Sequence, residues 1–211
     1  MKSIIDFEMA ATLLILVFTV LLKKYSPKIS GNMGESAVRR QLEGLDHDRY
    51  TTLNDVLVAS RPGETAQIDH IVVSVYGIFV IETKNLSGVI SGREGERQWT
   101  QAFPRKTFRI FSPIYQNQGH IKALAELLGL ERDRFHSIVV FGKSATLKVR
   151  TKTPVIYVAD LTKTILAAQT VLLSPSEVNA AVTRIEQMNL TKRSDRRAHV
   201  EYVRAKKEIR R

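Results

Sequence analysis

Apolar and polar positions divide the chain into runs of three kinds. From 4 to 22 the sequence is apolar apart from Asp6, Glu8, Thr12 and Thr19. At about 1.5 Å per residue such a helix spans roughly 28 Å, close to the thickness of a bilayer's hydrocarbon core. Residues 1–25 are therefore expected to form a transmembrane anchor, followed by a linker over 26–32. Helical spacing marks the second kind of run. In 33–45 the residues Ala37, Val38, Leu42 and Leu45 recur on one face. Ser112-Pro113 reads as an N-cap and first helical position, and Ile114, Gln118, Ile121, Leu124, Ala125 and Leu128 form one face of a helix ending near Gly129. A short helix is expected over 161–168. Ser174-Pro175-Ser176-Glu177 is a capping box that opens a helix running to about Met188. The third kind is strand-like: 51–59, 67–75, 78–84, a short stretch around Trp99, and 135–141 and 154–159, both short, β-branched and bounded by polar segments as buried strands are. Helix, three strands, helix and strand in that order predict an α/β domain over 33–190 that includes a C-terminal extension.

Composition narrows the chemistry. With 44% hydrophobic and 25% charged residues the chain can bury a core. The absence of Cys excludes disulfides, thiolate zinc sites, iron–sulfur clusters and a cysteine nucleophile. The net charge of +11 is unevenly placed: residues 191–211 hold nine Lys/Arg against three acids, whereas 31–190 hold 19 against 16. The centre is too mildly basic for charge alone to mark it as a nucleic-acid binder. The basic tail 191–211 is expected to bind phosphates of nucleic acid or anionic lipid without sequence preference, with a solvated helix as the alternative. Lys23, Lys24 and Lys28 follow the apolar run at once, which places the domain on the cytoplasmic side of the cell membrane as a single-pass protein. A cleaved signal peptide would carry that charge ahead of the run, and no A-x-A-like site precedes Gly31. A buried N-terminal helix is the third reading.

Candidate chemistry concentrates between Gln67 and Asn85. Two apolar strands meet at Ser74-Val75-Tyr76-Gly77, where Gly77 supplies the positive φ of a tight hairpin. If Ser74 faces Gly77, Asp69 falls opposite Glu82 within one residue. Alternation puts Glu82 and Lys84 on the face of Ile78 and Val80. Two carboxylates and an amine at the end of an apolar hairpin are either a salt-bridged strand end or the holders of a cation. Carboxylate oxygens suit Mg²⁺ or Mn²⁺, which keep waters and take further ligands from phosphate. Metal-assisted phosphodiester hydrolysis needs such a pair, with a cation beside the attacking water. His47, His70, His120, His136 and His199 lack zinc-ligand spacing, and His70, alternating away from Asp69, reads as structural. Gly88, Gly92 and Gly95 read as turns, and no Ser sits in a nucleophile elbow. Trp99 reads as core or edge, with base stacking as its functional alternative.

Gly34-Glu35, Leu53-Asn54-Asp55, Gln67-Ile68-Asp69-His70, Gly77-Ile78-Phe79-Val80-Ile81-Glu82-Thr83-Lys84, Trp99 and Ser112-Pro113-Ile114-Tyr115-Gln116-Asn117 with His120 together resemble the nuclease-related domain, NERD, over about 32–128. That family is assigned to the PD-(D/E)XK restriction-endonuclease-like superfamily. The resemblance implies an αβββαβ core with a mixed sheet, dependence on Mg²⁺ or Mn²⁺ and nuclease activity, with nucleic acid, DNA in preference to RNA, as partner. It makes Asp69 and Glu82 the metal ligands and Lys84 the catalytic lysine. Glu35 becomes the additional acid of the site and Gln116 the polar residue at its border. Ile68 stands where the superfamily name has proline, and Ser112 where the family usually has Asn, a change that still caps a helix. A binding module on the same fold without cleavage is the competing class, and a membrane-associated adaptor would leave the carboxylates unexplained.

Overall fold

The computed structural model describes residues 34–61 and 63–208. The expected membrane anchor 1–25 and linker 26–32 lie outside the described residues, and among the described residues no helix is long and apolar enough to cross a membrane. In chain order the elements are α1 (34–42), β1 (Thr51–Arg61), β2 (Glu64–Ser74), β3 (Gly77–Lys84), β4 (Gly88–Arg93), β5 (Gln98–Phe103), β6 (Lys106–Phe111) and α2 (Pro113–Leu128). Then come β7 (Phe135–Phe141), β8 (Ala145–Arg150), β9 (Val155–Tyr157), α3 (Leu161–Leu166), α4 (Pro175–Met188) and α5 (Arg193–Glu208).

Two mixed sheets result. The larger runs β1-β2-β3-β7-β9, antiparallel through β3 and parallel beyond it; the smaller runs β6-β5-β4-β8. Strands are buried on both faces because alternate residues serve different helix layers. Ile78 and Val80 of β3 pack with Ile121 and Leu124 of α2 and with Ala181 and Ile185 of α4. Phe79 and Ile81 pack with Val38 and Leu42 of α1 and with Leu161 and Ile165 of α3. Each such fully buried side chain contributes about 1.5–3 kcal/mol against solvent exposure. A third cluster, Ile90, Trp99, Ile114, Val139 and Phe141, joins the two sheets.

Several expectations are corrected. The stretch around Trp99 is a three-stranded insertion, β4 to β6, between β3 and α2. Gly92 lies in β4, not in a turn, and the Trp99 ring fills the space its Cβ would take. Trp99 is fully buried, so its role is core and not base stacking. On α2, Asn117 and His120 are buried while Gln118 is exposed, because the helix turns its polar motif toward the sheet. β8 falls where no strand is expected, and β9 gives way after Tyr157 to a 3₁₀ turn, Val158–Asp160. The tail has too few apolar residues to pack on its own, yet α5 docks through polar contacts. Arg196 bonds Asp55 Oδ2 at 2.7 Å and the Asp55 carbonyl at 3.0 Å, while His199 Nδ1 lies 2.7 Å from Thr65 Oγ1.

Candidate active site

The hairpin register follows the expected line: Ser74 pairs Gly77 and His70 pairs Ile81, so the next cross-strand position would join Asp69 to Glu82. Gly77, with φ +116°, makes that turn. Backbone pairing stops there, and the Asp69 side chain takes over, its Oδ2 accepting the Thr83 N–H at 2.7 Å. On the other side of β2 the ladder also skips Asp69: Asn54 pairs His70 and Val56 pairs Ile68, while Asp55 between them adopts φ +54°. A left-handed Asp in a strand costs on the order of 1 kcal/mol. Its effect here is that Asp69 stands free of both neighbouring ladders.

Around this gap the functional side chains converge. Glu82 is 1% exposed. Its Oε1 accepts a hydrogen bond from Lys84 Nζ, which also donates to Gln116 Oε1 at 3.1 Å. Glu82 Oε2 makes no hydrogen bond, although His120 Nδ1 lies 3.4 Å away. Gln116 and His120, one turn apart on α2, thus flank the Glu82–Lys84 pair. Between them Asn117 donates from Nδ2 to the Val80 carbonyl at 2.7 Å, to Ser137 Oγ at 2.9 Å and to the Ile138 carbonyl at 3.4 Å, fixing α2 to β3 and β7. Ser112 caps this helix by accepting the Tyr115 N–H. Glu35 arrives from α1, whose first described residue, Gly34, passes so close that a Cβ would lie 2.9 Å from the Asn85 side chain.

Electrostatics separate these groups. Burial pushes the Asp69 carboxyl up to about 7, helped by the nearby Glu82 and opposed by the Thr83 N–H and Lys84. Glu82 is raised by burial, against the charge and hydrogen bond of Lys84. Burial works to lower the Lys84 ammonium, but Glu82 and then Asp69 outweigh it and hold the pKa above its usual value. Glu35 is raised by burial and then by Asp69 and Asp55, which places it in the same acidic field. His120 drops to about 3 through burial and Lys84, so it stays neutral beside Glu82 and forms no ion pair. His70 falls to about 4 for the same first reason, and its Nδ1–H donates to Asn54 Oδ1, 2.6 Å away.

Of the five expected site residues, Glu82, Lys84 and Gln116 are joined by hydrogen bonds through the lysine, while Asp69, held on the Thr83 N–H, and Glu35 join them through charge. Three neighbours went without an assigned role: His120, Asn117 and Asp55. The i, i+4 spacing of Gln116 and His120 was the available signal for the first. Among the described residues no three His, Asp or Glu side chains are grouped so as to hold a metal ion. Asp69 and Glu82 are the two carboxylates that could hold an ion keeping most of its waters, and Glu82 Oε2 has no hydrogen-bond partner among the described residues. A hollow of about 610 Å³ between α2 and α4, lined by Leu127, Leu128 and Leu130, lies at the opposite end of α2 from Gln116 and holds a single carboxylate, Glu177, which is engaged by the Ser174 cap of its own helix.

Comparison with known proteins adds family evidence. The profile described as the nuclease-related domain matches residues 30–142. An uncharacterized protein of Bacillus anthracis is 35% identical over 205 residues, covering 95% of this chain and 96% of the relative. No solved structure matches the chain.

Proposed function

Because the chain belongs to the nuclease-related domain family, we propose that it is a divalent-metal-dependent nuclease hydrolysing phosphodiester bonds of nucleic acid. The observation that carries this reading is the meeting of Asp69, Glu82 and Lys84 where β2 and β3 part, with Gln116 holding the lysine. The succession α1, β1, β2, β3, α2, β7 supports a restriction-endonuclease-like core into which β4 to β6 are inserted.

Asp69 and Glu82 would hold Mg²⁺ or Mn²⁺, which when bound supplies positive charge at the phosphate and lowers the pKa of water. Crowding supports that role: two carboxylates raised by burial, Asp69 also by Glu82 and Glu82 also by Glu35, gain a cation's compensation on ionising. Lys84, kept protonated by the same carboxylates, orients the attacking water and meets charge developing on the phosphate. Gln116 fixes the lysine's direction, and Glu35 completes the acidic wall. The apolar run 4–22 with the lysines behind it supports an anchored protein whose domain faces the cytoplasm.

The test is cleavage of labelled single- and double-stranded DNA and RNA in Mg²⁺, Mn²⁺ or EDTA. Cleavage of DNA with either ion and none in EDTA is expected. Binding of nucleic acid without cleavage in any ion would replace the nuclease by a binding module on the same fold.

A further inference from the structure

The inserted sheet carries a surface that the carboxylate site does not use. Its β5–β6 hairpin, residues 98–111, contains Arg105, Lys106 and Arg109 and no acidic residue. Three of its phenylalanines are exposed, Phe103 at 37%, Phe108 at 48% and Phe111 at 39%. The buried Trp99 anchors the hairpin to the core, and Phe103 and Phe108 meet each other edge to face with centroids 6.1 Å apart. Phe111 meets Tyr115 edge to face with centroids 5.6 Å apart, and the Arg97 guanidinium lies over the same Tyr115 ring at 5.0 Å. Tyr115 sits in the first turn of α2, one residue before Gln116. An aromatic and basic cluster therefore begins one residue before Gln116 and continues along the hairpin from Phe111 to Arg109, which alternation puts on the same face of β6, whereas Phe108 lies on the other face.

Rings interleaved with cations are what an unpaired polynucleotide requires, bases stacking on the rings and phosphates meeting the cations. We propose that this hairpin is a platform for single-stranded nucleic acid, with Phe111 and Tyr115 stacking bases next to the site and Arg97 and Arg109 pairing the adjoining phosphates. The proposal rests on the nuclease reading and extends it to the form of its substrate. β6 is also the edge of its sheet, where a second copy could pair. Charge decides against that occupant: antiparallel pairing would bring Lys106 and Arg109 of one edge against the like charges of the other, whereas a polyanion neutralises them.

The experiment measures binding of the full-length chain, in mild detergent and EDTA, to a fluorescent dT oligonucleotide and to a duplex, across a salt series. Phe111→Ala is expected to weaken single-strand binding roughly 10-fold or more and leave the duplex unchanged. Phe111→Trp should retain it, and Arg109→Gln should flatten the salt slope by about one unit. Fluorescence of Trp99, the one tryptophan of the chain, confirms that Phe111→Ala and Arg109→Gln fold, and thermal melting confirms it for Phe111→Trp. Unchanged single-strand affinity in Phe111→Ala, or equal losses for strand and duplex, overturns the platform. A change in sedimentation without a change in affinity also overturns it, in favour of edge pairing between copies. Cleavage is read separately: a parent that cuts nothing yet shows the Phe111 effect refutes the nuclease and keeps the platform, and the reverse keeps the nuclease alone.

Discussion

Asp69 is the residue on which the site turns, because it has left both backbone ladders and its carboxylate substitutes for a strand partner at Thr83. Its pKa, raised from 3.8 to about 7, carries a sign that can be checked. Between about pH 4 and 7 the folded state holds a proton that the unfolded state has lost, so this group's contribution is present at low pH and disappears as pH rises through 7. His70 and His120, lowered to about 4 and about 3, act in the opposite sense below pH 6.5. Comparing Asp69→Asn with the parent isolates the first term. In EDTA the variant should gain on the parent by about 4 kcal/mol between pH 4 and 7 and no further above it. Urea denaturation at each pH measures this, and a difference that stays flat would contradict the crowding. Composition and alternation made Asp69, Glu82 and Lys84 legible as a group, since a hairpin register with Gly77 at its turn leaves little freedom. The left-handed Asp55 was not legible, because nothing local in the strand sequence requires that backbone.

At the scale of elements, α2 carries more of the site than its hydrophobic periodicity suggests. Its buried face includes Asn117 and His120, and an amide that bonds both Val80 and Ile138 has to be placed by tertiary structure. That is why Gln118 looked like a face residue: spacing alone cannot tell a buried polar group from an exposed one. Asn117→Ala should cost about 1–3 kcal/mol, since it strands carbonyls that water cannot reach. A thermal midpoint lowered by several degrees is expected, and an unchanged midpoint would refute the locking role. α5 is placed by polar contacts for a related reason. The segment before it caps the outer edge of β1, Leu190 N–H donating to the Leu57 carbonyl at 2.8 Å and Asn189 Oδ1 accepting the Leu57 N–H at 3.0 Å. Arg196 and His199 then fasten a helix that apolar counting would leave in solvent. Arg196→Ala is expected to lower global stability by less than about 1 kcal/mol. It should raise hydrogen exchange within Arg193–Glu208 well above that of β1 and β2. Equal protection of α5 in parent and variant would show that the Asp55 contact does not hold it.

For the whole molecule, two mixed sheets joined at Trp99 and Phe141 put the carboxylates on the larger sheet and the basic hairpin on the smaller one. The core order of helix and strands and the strand around Trp99 could be read from the sequence, while β4 and β6 could not, β6 because it is mostly exposed and its apolar residues do not alternate cleanly. Anchoring belongs to this scale too. The full-length protein should remain in the membrane pellet after alkaline extraction, and protease added from outside intact cells should leave the domain uncut. Release at alkaline pH or digestion from outside would remove the anchor. The central claim is that Asp69, Glu82 and Lys84 perform metal-dependent hydrolysis, and one measurement addresses it directly: cleavage of labelled DNA by the parent, Asp69→Asn, Glu82→Gln and Lys84→Ala in Mg²⁺ and in EDTA, with folding of each confirmed by thermal melting. Cutting by the parent in Mg²⁺ alone, reduced by about 100-fold or more in each folded variant, is the predicted result. Three folded variants that cut as fast as the parent would contradict it.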